Sequence, residues 1–279
     1  MGLLQHGFVQ IALFVAILMA ICSAFIGTPL VLKRYSFMGF ALSNVAFMFM
    51  ALSLVININN SLAIVMPLTV AASVLLLGFG GKFKIKGDAS LAMLLVGALA
   101  VGFFLINSFP LDAGTAISDI IDSLFGGDRI YDLRWADVWI SLGITVGVVA
   151  VFVFFHHKIF ASTFDESFMQ ATGQKPVIYN IIIAVVVGVV ISLSMQYVGS
   201  LLTFALIIFP TLSAMRIAKT YKKVAIFSVA IAAFCALFGI FLAISLPFGP
   251  PPAATIIILN IIVFGAMCLT GYLLRKKIT

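Results

Sequence analysis

Side chains able to do acid-base, nucleophilic or metal chemistry are few in this sequence, and they lie at the edges of long apolar stretches. Asp88 and Asp137 stand where two stretches begin, and the three histidines stand near stretch ends. Cys22, Cys235 and Cys268 are far apart and lack the close spacing of metal ligands, so they are interpreted as small core residues. No set of nucleophile and base can be assembled, which makes an integral membrane enzyme the least favoured class.

One short polar segment, residues 162–176, interrupts the apolar stretches and has the pattern of a small helix. Thr163 followed three residues later by Glu166 matches a capping box, and Gly173 with Pro176 forms a stop signal. The pattern predicts one short capped helix between these signals. An ordinary loop with a capped turn is the alternative.

Two phenylalanines give this predicted helix an apolar face. Phe164 and Phe168 lie four residues apart, so they share one side of a helix. A helix this short can bury that side only against a neighbour. Ser162 with Asp165 offers a second capping frame for the same helix.

The composition is that of a protein embedded in lipid. Hydrophobic residues make up 63% of the chain and charged residues 9%, with a mean hydropathy of +1.27. The chain divides into nine apolar stretches without a charge in their middle, each with the roughly 20 residues that a bilayer span needs. They cover residues 8–32, 37–56, 61–80, 89–107, 136–155, 177–196, 198–217, 224–246 and 254–274. We expect an all-α integral membrane protein with about nine transmembrane helices.

The basic residues indicate the orientation of these spans. Of the 16 Lys and Arg residues, 14 fall in alternate loops or the C-terminal tail, which the positive-inside rule places in the cytoplasm. The N-terminus is then outside, the C-terminus cytoplasmic, and the loop 157–176 cytoplasmic. The net charge of +7 is therefore a topology signal and does not indicate nucleic-acid binding. A signal peptide is not expected, because residues 1–10 contain no Lys or Arg.

The segment 112–137 is predicted to lie outside the membrane and carries six of the nine acidic residues. Within it, apolar residues at helical spacing predict an amphipathic helix at the outer interface, ended by two glycines. Such a helix either seals the bundle or presents its acids to a soluble partner, and the sealing role is favoured.

Polar and helix-breaking residues inside two spans point to a transport path. Pro210 must kink its helix and free a backbone carbonyl, which is tolerated beside protein or a water-filled path. Thr203 and Thr211 are placed to satisfy freed groups or line that path. Asn44 shares a helix face with its neighbours four residues away on each side, and interhelical hydrogen bonding is favoured over substrate contact there. The predicted path residues are Phe40, Asn44, Met48, Thr203, Pro210 and Thr211.

No segment of the chain matches a nucleotide-binding loop. Residues 78–82 lack the spacing of a phosphate-cradling motif, so an ATP-driven function requires a separate subunit. A secondary carrier or passive channel is a different class that also accommodates nine spans and a kinked helix. The absence of charges in mid-span weighs against a proton-coupled carrier.

The stretch 163–220 resembles the signature region of the ABC-transporter permeases that import zinc, manganese or iron. Residues 164–173, FDESFMQATG, are similar to that family's F-D-x-x-F-A-x-x-x-G. Residues 198–202, VGSLL, and 206–214, LIIFPTLSA, are similar to its V-G-x-L-L and L-L-x-I-P-A-A-T-A. Weaker matches occur at residues 34–39, 87–89 and 249–250.

The resemblance implies a single permease domain over residues 1–279, related to the vitamin B12 and metal-chelate type of importer, in the bacterial cytoplasmic membrane. A separate cytoplasmic ATPase would use the ATP, an extracytoplasmic solute-binding protein would deliver the metal, and a second permease, identical or related, would complete the path. No cofactor is expected on this chain. The ATPase-coupling residues that the resemblance implies are Phe164, Asp165, Glu166, Phe168 and Gly173.

The sequence departs from this family at its usual metal-binding pair. The family has an Asp and a His one helical turn apart, and here the positions are Phe40 and Asn44. Phenylalanine offers no ligand and asparagine only a neutral oxygen, so no metal ligand is assigned in this chain. Three explanations stand: the metal crosses without a fixed cage, the substrate is a chelated metal or neutral organic solute, or a second, different permease supplies the ligands.

Overall fold

The computed structural model describes residues 7–56, 61–79, 88–109, 133–164, 166–218, 220–246 and 250–276, and regular structure within them is helical. The helices are α1 (Gly7–Leu32), α2 (Met38–Val55), α3 (Ser61–Phe79), α4 (Asp88–Ser108), α5 (Trp135–Phe154), α6 (His156–Phe164), α7 (Glu166–Ala171), α8 (Pro176–Val198), α9 (Ser200–Ile217), α10 (Tyr221–Ser245) and α11 (Pro252–Lys276).

Eight of these helices, all except α3, α6 and α7, are long and apolar enough to cross a membrane. The remaining one of the nine predicted spans is α3. Its apolar part, Ser61–Leu77, is shorter and stands at the lower limit of about 17 residues for a spanning helix. The all-α membrane class is therefore confirmed. The predicted external amphipathic helix, with most of the segment 112–137 that contains it, lies outside the described residues.

Contacts between helix ends place consecutive loops at opposite ends of the bundle. The end of α1 meets the start of α8, where Lys33 Nζ donates to Asn180 Oδ1 at 2.6 Å. The end of α8 meets the start of α5, where the Tyr197 hydroxyl donates to Asp137 Oδ1 at 3.3 Å. The end that holds Lys33 is the one predicted to be cytoplasmic from the basic residues, and the end that holds Asp137 is the acidic one, predicted to be external.

Helix α1 lies at the centre of the bundle, packed against α5, α8, α9 and α10. Its core side chains are fully buried, among them Met19, Ala20 and Ala24. Between membrane helices the lipid gives no hydrophobic driving force, so small residues that allow close packing hold the helices together. At Gly27, α1 comes so close to α9 that an added Cβ would lie 2.6 Å from Thr211 Oγ1.

The outer surface of the bundle is apolar. Large exposed side chains on α4 and α5 include Met93, Phe104, Trp139 and Val146. A contiguous apolar surface of this kind marks contact with lipid or protein, and around the middle of a helical bundle it fits the hydrocarbon core of a membrane.

Candidate functional site

The polar segment between α5 and α8 forms two short helices, α6 and α7, where the sequence predicted one capped helix. Thr163 lies in the last turn of α6, and its hydroxyl donates to the Ile159 carbonyl at 2.6 Å. Ser162 is fully buried, and its hydroxyl donates to Asn180 Oδ1 at 2.6 Å. The capping prediction was wrong, because α6 runs through both residues and their hydroxyls serve α6 itself and α8. Asp165 lies outside the described residues.

The predicted stop signal at Gly173 is confirmed. Gly173 has a φ of +77°, its amide donates to the Gln170 carbonyl at 3.0 Å, and the Gln174 amide donates to the Met169 carbonyl at 3.1 Å. These two bonds form a Schellman motif, which satisfies the last carbonyls of α7. Glycine suits the position because a side chain in the left-handed region costs about 1 to 2 kcal/mol. Pro176 then begins α8.

Three phenylalanines form an exposed apolar strip on α6 and α7, which we call the coupling surface: Phe160, Phe164 and Phe168. Their exposed fractions are 42%, 58% and 63%. The rings of Phe160 and Phe164 pack together with centroids 4.8 Å apart. The chain itself therefore leaves much of this surface uncovered, as expected from the spacing of Phe164 and Phe168.

The opposite sides of the two helices anchor this surface to the bundle. Ile159 of α6 and Met169 of α7 are each only 1% exposed. Helix α6 packs against α1, α5 and α8, and α7 packs against α6 and α8. The coupling surface is therefore supported by α1, α5 and α8.

Aromatic contacts extend the anchor to the start of α10, a link that no sequence pattern predicts. The Tyr221 ring lies 5.5 Å from Phe160 and 5.3 Å from His156, measured between centroids. Burial lowers the pKa of His156, and the positive charges of Lys222 and His157 lower the same pKa further. His156 is therefore a neutral member of this cluster at physiological pH.

The residues predicted to line a path on α9 lie inside the bundle. Pro210, Thr203 and Thr211 are all buried. The Thr203 hydroxyl donates to the Gly199 carbonyl at 2.7 Å, and the Thr211 hydroxyl lies 2.9 Å from the Ile207 carbonyl. Thr211 Oγ1 also lies 3.1 Å from Ser228 Oγ on α10. Each threonine thus bonds the backbone carbonyl four residues earlier, and both of these carbonyls precede Pro210 in the chain.

Helix α2 holds the other predicted path residues. Asn44 is fully buried and its Nδ2 donates to the Phe40 carbonyl at 2.9 Å. Its Oδ1 has no hydrogen-bond partner within the described part of the chain. The Phe40 ring packs on Phe204 of α9 at 4.9 Å between centroids, and Met48 is half-buried near Gly102 of α4. The structure thus joins α2 to α9 through an aromatic pair, one turn away from a buried, unpartnered amide oxygen.

Neither region holds a ready-made metal cage. Among the residues that the structure describes, no three His, Cys, Asp or Glu side chains gather into a group that could hold a metal ion. Any cation that passes Asn44 would meet its neutral amide oxygen and backbone carbonyls. Neutral oxygen ligands of this kind suit hard cations better than soft ones.

Curated proteins similar to this chain are membrane subunits of metal importers. The chain is 28% identical over 263 residues to the manganese import system permease protein ScaB of Streptococcus gordonii, covering 94% of this chain and 91% of that protein. It is 27% identical over 284 residues to the manganese transport system membrane protein MntC of Listeria innocua, covering 99% and 96%. The high-affinity zinc uptake system membrane protein ZnuB of Haemophilus influenzae is 23% identical over 210 residues, covering 75% and 77%.

Two solved structures share the fold. PsaBC from Streptococcus pneumoniae in complex with Fab superposes with a TM-score of 0.81 at 24% identity, covering 95% of this chain and 92% of that one. A metal-chelate type ABC transporter in an inward-facing conformation has a TM-score of 0.69 at 16% identity, covering 94% and 85%. A family model described as the ABC 3 transport family matches residues 5–270. The chain therefore belongs to the ABC 3 transport family, as a multi-pass protein of the bacterial cell membrane.

Proposed function

We propose that this chain is the permease of an ATP-driven importer of a divalent transition metal, with manganese as the first cargo to test and zinc as the second. The observation that carries the proposal is the coupling surface, an exposed strip of phenylalanines on two short helices at the basic end of the bundle. It lies on the segment whose sequence resembles the signature of metal-importing permeases.

The coupling surface is suited to a protein partner. Exposed aromatic side chains on a rigid support are the usual centres of binding energy at interfaces. The support here is rigid because the buried faces of α6 and α7 are packed on the bundle and α7 ends in a Schellman motif. Its place at the basic end of the bundle supports a cytoplasmic location by the positive-inside rule, and an ATPase subunit would bind it there. ATP binding and hydrolysis belong to that subunit, and no cofactor of this chain takes part.

The proposed path runs beside Asn44 on α2 and Pro210 on α9, and a second permease copy completes it. An unsatisfied buried oxygen calls for an explanation, since buried polar atoms are nearly always hydrogen-bonded. Asn44 Oδ1 is such an atom, and a passing hydrated cation would provide what it lacks. Amide oxygen and water suit manganese, which agrees with the names of the first two relatives above. A solute-binding protein delivers the metal at the external face.

The experiment that tests this proposal is co-purification of the tagged chain from its native membrane in mild detergent. We expect a nucleotide-hydrolysing subunit to be retained in a fixed ratio to the permease, and vanadate-sensitive ATPase activity in the eluate. Retention of a second permease copy without any ATPase, from membranes in which the chain is folded, would contradict the proposal. The control is the same purification with an unrelated tagged multi-pass protein of the same membrane.

A further inference from the structure

Three polar side chains from three helices meet behind the coupling surface. Lys33 Nζ, at the end of α1, donates to Asn180 Oδ1 of α8 at 2.6 Å and to Ser162 Oγ of α6 at 3.3 Å. Ser162 Oγ in turn donates to Asn180 Oδ1 at 2.6 Å. Ser162 is fully buried, and Lys33 and Asn180 are half-buried. These atoms form a closed triangle of short polar contacts, which we call the Lys33 node.

The node sits at a well-defined helix end. The Tyr35 amide donates to the Leu30 carbonyl at 2.9 Å and the Arg34 amide to the Val31 carbonyl at 3.1 Å, which is again a Schellman pattern. Arg34 takes the left-handed position with a φ of +62°, at a cost that glycine would avoid. The Lys33 ammonium also lies where the helix dipole favours a positive charge. The backbone that carries Lys33 is therefore held in place at the end of α1.

From this end, α1 leads directly to the proposed path helix. Gly27 lies six residues before Lys33, about 9 Å along the helix axis at 1.5 Å per residue. At Gly27 the backbone of α1 touches α9 at Ile207 and at Thr211, on either side of Pro210. Even a Cβ at Gly27 would collide with the Ile207 carbonyl, so the backbones of the two helices are in direct contact at this point. Pro29 lies within α1 between Gly27 and Lys33, and a displacement of α1 toward α9 that passes this proline acts directly on α9.

We propose that Lys33 is a positioning residue that ties the coupling surface to α1, so that movement of α6 and α7 reaches α9 near Pro210. The inference rests on the proposed function, since it assigns the route by which an ATPase stroke would act on the path. The Lys33 ammonium ties α1 to the other two helices, because it donates to Ser162 Oγ on α6 and to Asn180 Oδ1 on α8. Loss of the ammonium leaves the bond between Ser162 and Asn180 in place but removes these two bonds from α1.

The first test measures the clamp itself, in the purified full-length chain without partners. Lys33→Met keeps the length of the aliphatic stem and removes the ammonium group, and Lys33→Arg keeps a cation at this position. A hydrogen bond to a charged group changes a local opening equilibrium on the order of tenfold, so we expect backbone amides of α6 to exchange about tenfold faster in Lys33→Met. Lys33→Arg should return most of that protection. Lys175→Met, which removes an exposed charge at the same end, should leave α6 exchange unchanged.

The second test measures coupling in proteoliposomes that contain the permease, its ATPase and its binding protein. Allosteric coupling of the usual strength corresponds to factors of about 5 to 150, so Lys33→Met should lower manganese transported per ATP hydrolysed by at least about fivefold. ATPase activity should persist, and Lys33→Arg should recover the ratio. Parallel loss of transport and ATPase activity, or unchanged α6 exchange, would overturn the inference. Failure of the proposed function has a different signature, namely no ATP-dependent uptake by the wild-type chain while α6 exchange still responds to Lys33→Met.

Discussion

Asn44 and Phe40 are the residues at which this chain departs from the permeases it resembles. Asn44 is buried with its Nδ2 bonded to the Phe40 carbonyl, and its Oδ1 has no partner within the described residues. Asn44 stands out in the sequence as a polar residue in an apolar span, and Phe40 was identified through the family resemblance. Sequence reasoning favoured interhelical bonding for Asn44, whereas the amide bonds its own helix one turn back. Spacing along a helix cannot distinguish these outcomes, since they depend on what the neighbouring helix offers.

Introducing a carboxylate and an imidazole at these two positions tests the role of this face. Asn44→Asp together with Phe40→His places a carboxylate and an imidazole one turn apart, a pair that suits zinc and other transition metals. We expect uptake measured with competing metals to shift from manganese toward zinc. Unchanged selectivity would mean that this face does not choose the cargo.

A matched control for that double variant exists on α11. Asn260 is also buried, its Nδ2 donates to the Ile256 carbonyl at 2.9 Å, and its Oδ1 also has no partner among the described residues. Asn260→Asp introduces the same carboxylate into a span, at a cost of about 2.5 to 3.5 kcal/mol on insertion scales. It should lower the amount of folded protein to a similar degree without changing metal selectivity.

At the scale of the element, the segment between α5 and α8 shows what a sequence pattern does and does not determine. Its polarity, the Gly173 end and the outward phenylalanines followed from residue types alone. The number of helices did not, because Ser and Thr hydroxyls bond either forward as caps or backward to the preceding turn. Thr163 took the backward bond to Ile159, and Ser162 bonded α8. The Lys33 node could not be predicted from the sequence either, because Ser162 and Asn180 lie 129 and 147 residues after Lys33 in the chain.

Phe168→Ala tests whether the coupling surface binds the ATPase. Phe168 is 63% exposed, so Phe168→Ala removes little packing inside the chain and should leave its thermal stability nearly unchanged. A buried aromatic anchor at an interface contributes about 2 kcal/mol or more, so binding of the ATPase should weaken by roughly thirtyfold and transport should be lost. The measurement is ATPase affinity by surface plasmon resonance with the permease in nanodiscs.

The control for Phe168→Ala is Phe154→Ala at the end of α5. Phe154 is 83% exposed and lies at the end of a membrane span, outside the coupling surface. ATPase affinity should be unaffected by this change. Wild-type affinity and uptake in Phe168→Ala would remove the coupling role from this surface.

At the scale of the whole molecule, the class followed from hydropathy, and the sidedness is a prediction from the distribution of charge. Segments of about 20 apolar residues and alternation of basic loops need no tertiary information. The arrangement of the helices could not be obtained in this way, because faces that meet lipid and faces that meet protein are both apolar. The central position of α1 depends instead on close contacts such as Gly27 against α9, and these are visible only in three dimensions.

The central claim is that this chain moves manganese only when a separate ATPase acts on it. The most direct measurement is the initial rate of manganese uptake into proteoliposomes that contain the permease and the metal-loaded binding protein. The rate is compared with and without the ATPase subunit, and with and without ATP on the side of the membrane where that subunit binds. We expect uptake to require both the ATPase and ATP, and to follow ATP consumption. Rapid manganese uptake by the permease alone in ATP-free liposomes would contradict the claim and indicate a carrier or channel.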